Sequence, residues 1–343
     1  MSAGASAINT QWRLASRPTG EVGREHFEVT HSPLPEPGEG EVRVRNLYLL
    51  IPPSMRLWMN EKDTYFPAQV LGEVMTGITL GVVESSRDPS LAPGDYVNGL
   101  GGCQEWSIAP VGHLQKIQPR AGVPLAAYRS VLDVQGLTAY CGLTEIGKPK
   151  AGETLVVTAA AGSVGSLVCQ IGKKLGLKVV GIAGGADKCA WLRDECGIEN
   201  VIDYKHEDVA ARLDALCPEG IDIAYENVGG PVMDMIIERL RNKGRVVLCG
   251  LVSSYNGGVT QNTASLMQLV NKAARMEGFL VSEYLHRYDE VIATLQDWAA
   301  DGSLKYRIEV LDGLDKIVEA MTRVFHGKNQ GVQLVKIAQE GTQ

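Results

Sequence analysis

Between residues 154 and 250 short apolar runs alternate with segments of helical spacing, and this alternation constrains the fold more than any other feature. Thr154–Ala159 is an apolar run. Val164–Leu175 then carries apolar residues at 164, 167, 168, 171 and 175, the spacing of one helix face. Lys178–Ala183 followed by Lys188–Cys196 repeats the pattern, as do Val201–Asp203 with His206–Cys217 and Ile221–Glu226 with Val232–Arg241. Arg245–Gly250 closes the series as a strand, and a further helix is expected over Tyr288–Asp301. Strands separated by helices of this length predict an α/β fold with a doubly wound parallel sheet.

The chain before residue 130 reads differently. Glu41–Leu50 alternates, Gly77–Ser85 is apolar and β-branched, and Pro93, Gly94 and Asp95 form a turn before Tyr96 and Val97. Pro33, Leu34, Pro35, Glu36, Pro37 and Gly38 make a turn-rich connector. Short strands broken by Gly and Pro suggest a barrel-like β domain. After the last helix, Tyr306–Val310 and Val332–Ile337 are again short strands, suited to rejoin the first domain. A chain of 343 residues accommodates roughly two domains. The expected division is 1–130 with 311–343, and 131–310.

The first strand–helix junction carries chemistry. Ala160, Gly162 and Gly165 match G-x-G-x-x-G with alanine in the first place. The bare backbone at Gly162 lets a pyrophosphate approach, Gly165 lets helix and strand pack closely, and the phosphate charge meets free N–H groups at the helix start, with Ser163 and Val164 between the glycines. A glycine-rich turn with no ligand is the alternative. The end of the next strand separates NAD from NADP. An NAD site commonly places a carboxylate there, about 20 residues after the glycines. Here the strand ends in Ala183, Gly184 and Gly185, small and neutral, and Lys188 follows. This favours NADP, with Lys188 against the 2′-phosphate, although Lys188 alone is also an ordinary helix-start lysine. Asp187 lies only slightly late for an NAD carboxylate and keeps that option open.

Other functions are disfavoured. With 33 basic and 40 acidic residues the net charge is −7, unlike the positive surface that nucleic acid requires. No run of 18 apolar residues suggests a membrane span, and Met1–Ile8 lacks a basic segment followed by an apolar one. Seven scattered cysteines with no C-x-x-C pair fit a reducing compartment, and a cytoplasmic protein is expected. Cys141, Cys169 and Cys249 read as buried structural thiols. Glu73 has no preceding histidine, Cys103 has no partner at ligand spacing and His113 stands alone, so no zinc is expected.

Further motifs accompany these. They are Pro37–Val42, Pro93–Val97, Ala159–Gly165, Gly184–Lys188 with Asp203, Tyr204 and Lys205, Glu226–Gly230, Cys249–Asn256 and Gly327–Gly331. Together they make the chain resemble, over nearly its whole length, the zinc-free medium-chain dehydrogenase/reductase superfamily, in its prostaglandin reductase, 2-alkenal reductase and curcumin reductase branch. The resemblance implies a GroES-like β-barrel domain plus a doubly wound Rossmann domain, usually in a homodimer. It implies NADPH-dependent reduction of an alkene conjugated to a carbonyl. By motif, Gly162 to Gly165 cradle the pyrophosphate, and Lys188 and Tyr204 hold the 2′-phosphate. Asn227, the turn Cys249, Gly250, Leu251, Ser253 and Tyr255, the segment Phe279, Leu280 and Val281, and Asn329 line the nicotinamide half. Phe279 and Val281 also pass for core, and Asn329 for a turn residue.

One segment departs from the branch. Where it commonly reads Asp-Pro-Tyr-Met-Arg, this chain has Pro52, Pro53, Ser54, Met55 and Arg56. In the family this segment lies beside the nicotinamide, so the resemblance implies that a short hydroxyl in place of a phenol reshapes the substrate pocket, or the change is neutral. Ser54, Tyr48 and Tyr284 are the substrate-pocket candidates, with Tyr48 also suited to strand core. Trp58, Met59, Tyr65 and Phe66 suit an apolar pocket for a small hydrophobic enone or enal, and equally suit packing or dimer contacts. Hydride addition to the β-carbon leaves an enolate oxygen that a donor must meet. Tyr255 is the candidate donor or proton source, since a tyrosine hydroxyl is protonated at neutral pH; its ring walling the pocket is the alternative. A quinone or carbonyl reductase, and a non-catalytic NADPH-binding protein, stay open at this point.

Overall fold

The computed structural model describes residues 8–34, 36–257 and 263–340. Most of the Met1–Ile8 segment, Pro35 of the connector and the last residues of the expected 311–343 piece lie outside the described residues. The chain packs as two compact units. One is Met1–Arg129 with Ile308–Asn329 and Gln333–Gln343; the other is Ser130–Arg307 with Gln330–Val332.

The first unit opens with an antiparallel hairpin, β1 (Ile8–Leu14) and β2 (Phe27–Pro33), in which Trp12 faces Val29. Strand β3 (Glu41–Leu50) follows, then the one-turn helix α1 (Met55–Trp58), β4 (Ile78–Ser86), β5 (Tyr96–Gly99), β6 (Trp106–Pro110) and β7 (Gln115–Ile117). β3 pairs with β4 on one edge and β6 on the other, with irregularities at Arg43/Val44 and Asn46/Tyr48. The fully buried Asn46 is satisfied at the second irregularity: its Nδ2 donates to Gln104 O at 2.9 Å, and its Oδ1 accepts from Thr79 Oγ1 at 3.0 Å. Trp58 and Met59 belong to the core with Trp12, Leu14, Met55 and Met75, which settles them as packing rather than pocket. Phe66 lies against Trp58 at 5.1 Å between centroids, and Tyr65 is exposed.

The second unit starts with α2 (Val134–Cys141), which runs into a π-helical turn, Gly142–Gly147. Then come β8 (Thr154–Val157), α3 (Ser163–Lys174), β9 (Lys178–Ala183), α4 (Ala186–Asp194), β10 (Asn200–Asp203) and α5 (Val209–Leu216). β11 (Ile221–Glu226), α6 (Gly230–Glu238), β12 (Leu240–Leu248), α7 (Thr263–Asn271), β13 (Arg275–Gly278) and α8 (Tyr288–Ala300) complete it. The sheet order is β10-β9-β8-β11-β12-β13, all parallel. The order reverses between β8 and β11, and a doubly wound sheet opens its crevice at such a point. Sheet and helix meet in a core of Val156, Val180, Ile202, Ala224, Ile236 and Val246. Each buried valine or isoleucine side chain contributes roughly 1.5–3 kcal/mol.

Boundaries differ from expectation for local reasons. β8 stops at Val157 because Ala159 turns left-handed at φ 47°. α5 starts at Val209 rather than His206, since Asp208 caps it by accepting Ala211 N–H at 3.1 Å. α6 ends at Glu238, short of Arg241, because Leu240 already pairs with Ile221 and begins β12.

The chain returns through β14 (Ile308–Asp312), α9 (Ile317–Phe325) and β15 (Val332–Lys336). Among the described residues they complete a seven-stranded sheet, β14-β15-β3-β4-β5-β7 with β6 on β3. β15 lies antiparallel to β3, Leu334 opposite Leu50. Ile317, Ala320 and Met321, on one face of α9, are buried in the same core as Trp12.

Candidate cofactor-binding and active site

The residues of the second unit gather at the carboxyl ends of β8, β9, β11 and β12. After β8 the chain turns through Ala159, and Gly162 N–H donates back to Ala159 O at 2.8 Å. Gly162 is the N-cap of α3 and no side chain caps that helix. The first-turn N–H groups therefore have no partner within the helix or from a cap, the arrangement that binds an anion. Ser163 Oγ, in the same turn, is buried without a hydrogen-bond partner. A Cβ on Gly165 would lie 2.3 Å from Ala159 O, so only glycine lets α3 sit this close to the turn. Gly162 also bridges Gly331 in strand fashion, and Gly331 at φ 71° packs on Arg307 O.

At the end of β9, Gly184 lies under the Tyr204 ring, where a Cβ would come within 2.6 Å of it. Gly185, at φ 99°, starts α4, whose first turn carries exposed Asp187 and half-buried Lys188. A second acidic group, Asp203, reaches this turn from the end of β10. Its carboxylate accepts Gly185 N–H at 2.8 Å and Lys205 N–H at 3.1 Å, and meets His206 Nδ1 at 2.8 Å. Burial opposes its charge, but these donors together hold it below the usual carboxylate range. Asp203 is thus committed to the protein, and Tyr204, half exposed, presents its ring over a small, neutral turn.

Between β8 and β11 a side-chain relay spans the crevice. Thr158 Oγ1 donates to Glu226 Oε1 at 2.9 Å and accepts Asn227 N–H at 2.8 Å. Asn227 Nδ2 donates to Thr158 O at 2.8 Å. Glu226 Oε1 also accepts Val228 N–H at 2.6 Å and Gly229 N–H at 2.8 Å. Glu226 is 1% exposed, its Oε2 has no partner, and burial pushes its carboxyl above the usual range against these donors.

Beyond β12, Cys249 and Gly250 N–H both donate to Glu226 O, and Val252 and Ser253 N–H donate to Asn227 O and Val228 O. These bonds lay the 249–255 turn over the β11 end. Tyr255 Oη accepts Leu251 N–H at 3.3 Å, and Asn256 Oδ1 is buried without a partner. Cys249 is half-buried rather than buried as expected, because it begins a turn instead of ending a strand; its thiol is enclosed beside Tyr225 and pushed up to about 11 by burial. Tyr225, fully buried, donates to Thr138 O at 2.9 Å. Gly142, in the π-helical turn, leaves room for the Tyr225 hydroxyl and the Phe279 ring, which would lie 2.5 and 2.6 Å from a Cβ there. Phe279 meets Tyr284 edge-on at 6.3 Å; Val281 is half-buried and Leu280 exposed, so none of this segment is core.

Ser54, Tyr48 and Asn329 belong to the other unit. Tyr48 is buried in β3 and donates to Glu340 Oε1 at 2.5 Å. Ser54 is half-buried at the start of α1, where buried Arg56 ties the loop to Pro18 O and Gly20 O. Asn329 is half-buried and hydrogen-bonded. Among the described residues no three His, Cys, Asp or Glu side chains gather to hold a metal ion.

The orphaned Ser163 Oγ, the uncapped α3 start and the covered glycines fit a dinucleotide. Known proteins agree. Residues 10–117 match the family described as an N-terminal domain of oxidoreductase, and 163–297 the family described as zinc-binding dehydrogenase. The NADPH-dependent curcumin reductase of Escherichia coli is 39% identical over 96% of this chain and 97% of its own length. The NADP(+)-dependent 2-alkenal reductase of Nicotiana tabacum is 39% identical over 88% of this chain and 89% of its own. The crystal structure of CurA in complex with NADPH, from Vibrio vulnificus, superposes with a TM-score of 0.90 at 38% identity, covering 97% of this chain and 100% of that one. The chain belongs to the zinc-free branch of the medium-chain dehydrogenase/reductase superfamily that includes curcumin and 2-alkenal reductases.

Proposed function

We propose that this protein is an NADPH-dependent oxidoreductase that reduces the carbon–carbon double bond of an α,β-unsaturated ketone or aldehyde. The observation that carries the cofactor reading is the uncapped α3 start with its orphaned Ser163 Oγ, set at the switch point of the sheet. The enone reading rests on the relatives named above. NADPH, when bound, supplies a hydride from its nicotinamide to the β-carbon of the alkene. The N–H groups of Ser163, Val164 and Gly165 bind the pyrophosphate, which the bare backbone of Gly162 lets approach. Lys188 and Tyr204 bind the 2′-phosphate. Asn227, the Cys249–Tyr255 turn, Phe279–Val281 and Asn329 orient the nicotinamide half. Tyr255 donates its hydroxyl hydrogen bond to the developing enolate oxygen, and a solvent proton completes the saturated product. Ser54 and Tyr284 are assigned to substrate contact.

NADPH oxidation measured in parallel with an enal, an enone and a quinone tests the reading. Oxidation with enal or enone and a saturated carbonyl product supports it. Turnover of the quinone alone contradicts it, and binding of NADPH with no turnover makes the protein a non-catalytic binder.

Lys188→Ala is expected to raise KM for NADPH by roughly 10–100-fold, the loss of one charge-assisted hydrogen bond, and to leave KM for NADH unchanged. An equal rise for both removes Lys188 from the phosphate.

The division into a GroES-like catalytic part, 1–130 with 311–343, and an NADP-binding part, 131–310, belongs to the same proposal. So does a homodimer. β13 is an edge strand, and Met267, Val270, Leu280 and Leu285 nearby in sequence are exposed; such edges and apolar side chains invite a partner. Sedimentation equilibrium at twice 36.9 kDa is the expected result, and a 36.9 kDa species contradicts it. Free thiols at all seven cysteines support a cytoplasmic setting, which cell fractionation checks.

A further inference from the structure

We propose that Thr158 and Glu226 are a positioning pair that fixes Asn227 for the nicotinamide half of the cofactor. This rests on the NADPH reading above and assigns a role to two residues outside the glycine-rich turn. β8 and β11 are neighbours through backbone bonds only as far as Thr158 N–H on Tyr225 O. Beyond that point the strands part to form the switch-point crevice, and the Thr158 side chain takes over the connection.

Each polar atom of the threonine has an assigned task. Its hydroxyl proton goes to Glu226 Oε1, its hydroxyl oxygen receives Asn227 N–H, and its carbonyl receives Asn227 Nδ2. Because a carbonyl only accepts, the amide nitrogen of Asn227 must face Thr158 and Asn227 Oδ1 must face away from it. The relay therefore fixes both the position and the polarity of Asn227, an acceptor presented at the crevice. Glu226 supplies the fixed end. One oxygen takes three donors, from Thr158 and from the Val228 and Gly229 backbone, so the carboxyl sets the β11–α6 turn and the threonine rotamer together. Neither residue needs to touch the cofactor: Thr158 and Glu226 are each 1% exposed.

The test separates the two halves of the cofactor by direct binding. NADPH is titrated by fluorescence, and adenosine 2′,5′-bisphosphate, which lacks the nicotinamide half, is titrated by calorimetry. Thr158→Val keeps the shape and removes the hydroxyl. It is expected to weaken NADPH about tenfold and leave the bisphosphate unchanged. Thr158→Ser restores the hydroxyl and NADPH affinity. Thr158→Ala serves where valine crowds the site, with the same expected split. Unchanged NADPH affinity in both the valine and alanine variants overturns the proposal. So does parallel weakening of both ligands, which is what a general loss of structure gives. Wild-type protein that binds neither ligand overturns the NADPH reading itself, and the proposal with it.

Discussion

Gly165→Val is expected to remove measurable NADPH binding and to lower stability by about 1–3 kcal/mol, the usual cost of overpacking. For a unit of this size that is a fall in Tm of roughly 2–4 °C per kcal/mol. The cause is contact, not dihedral strain. A Cβ at 165 would meet Ala159 O at 2.3 Å, Ala159 C at 2.9 Å and the Ala160 Cα at 3.0 Å, all backbone. Nothing flexible can give way, so the turn must move, and the α3 N–H groups lose their place with it. At Gly162 a Cβ would stand 3.0 Å from the same oxygen, a contact relieved by a few tenths of an ångström. Gly162→Ala should therefore be the milder of the two. Fluorescence titration and thermal melts measure both. A valine variant that binds NADPH within threefold of the parent contradicts the account of this turn.

The second large effect is on chemistry. Tyr255→Phe is expected to lower kcat by about 10²–10³-fold, the range for loss of one hydrogen-bond donor to a developing oxyanion, with little change in NADPH affinity. Tyr255 Oη accepts Leu251 N–H, which holds the hydroxyl beside Gly250; a hydroxyl that accepts still carries a proton. Phenylalanine keeps the ring and deletes only the hydroxyl, so any packing role survives. Steady-state kinetics decide the matter. Unchanged kcat moves the donor elsewhere and leaves Tyr255 as a wall.

The parts of this protein that are legible in its sequence are those set by local physics. Lys178–Ala183 and Ile221–Glu226 are expected strands and are strands over the same residues, because each is a short, mostly apolar segment bounded by turn formers. Gly162 and Gly165 are legible because a close backbone approach admits only one residue type. The hairpin of β1 and β2 is less visible, since polar Asn9 and Gln11 are settled by Gln104 and Trp106, more than 90 residues away. α9 carries its apolar residues at 317, 320 and 321, a helical spacing that was there to be read. Thr158 and Glu226 each lie in a legible segment, but their contact is not legible, because it joins residues 68 apart. Asp203 stands in a legible motif, but its role is not legible: the carboxylate that reaches the turn after β9 comes from the end of β10, 18 residues on from Gly185 in the chain, and is occupied by backbone N–H groups.

The destination of the hydride tests the central claim most directly. NADPH carrying deuterium at the transferable nicotinamide C4 position is turned over with an enone, and the product is read by NMR. The account predicts deuterium on the β-carbon of a saturated ketone. Deuterium on a carbinol carbon, with the double bond intact, would show reduction at the carbonyl and contradict it.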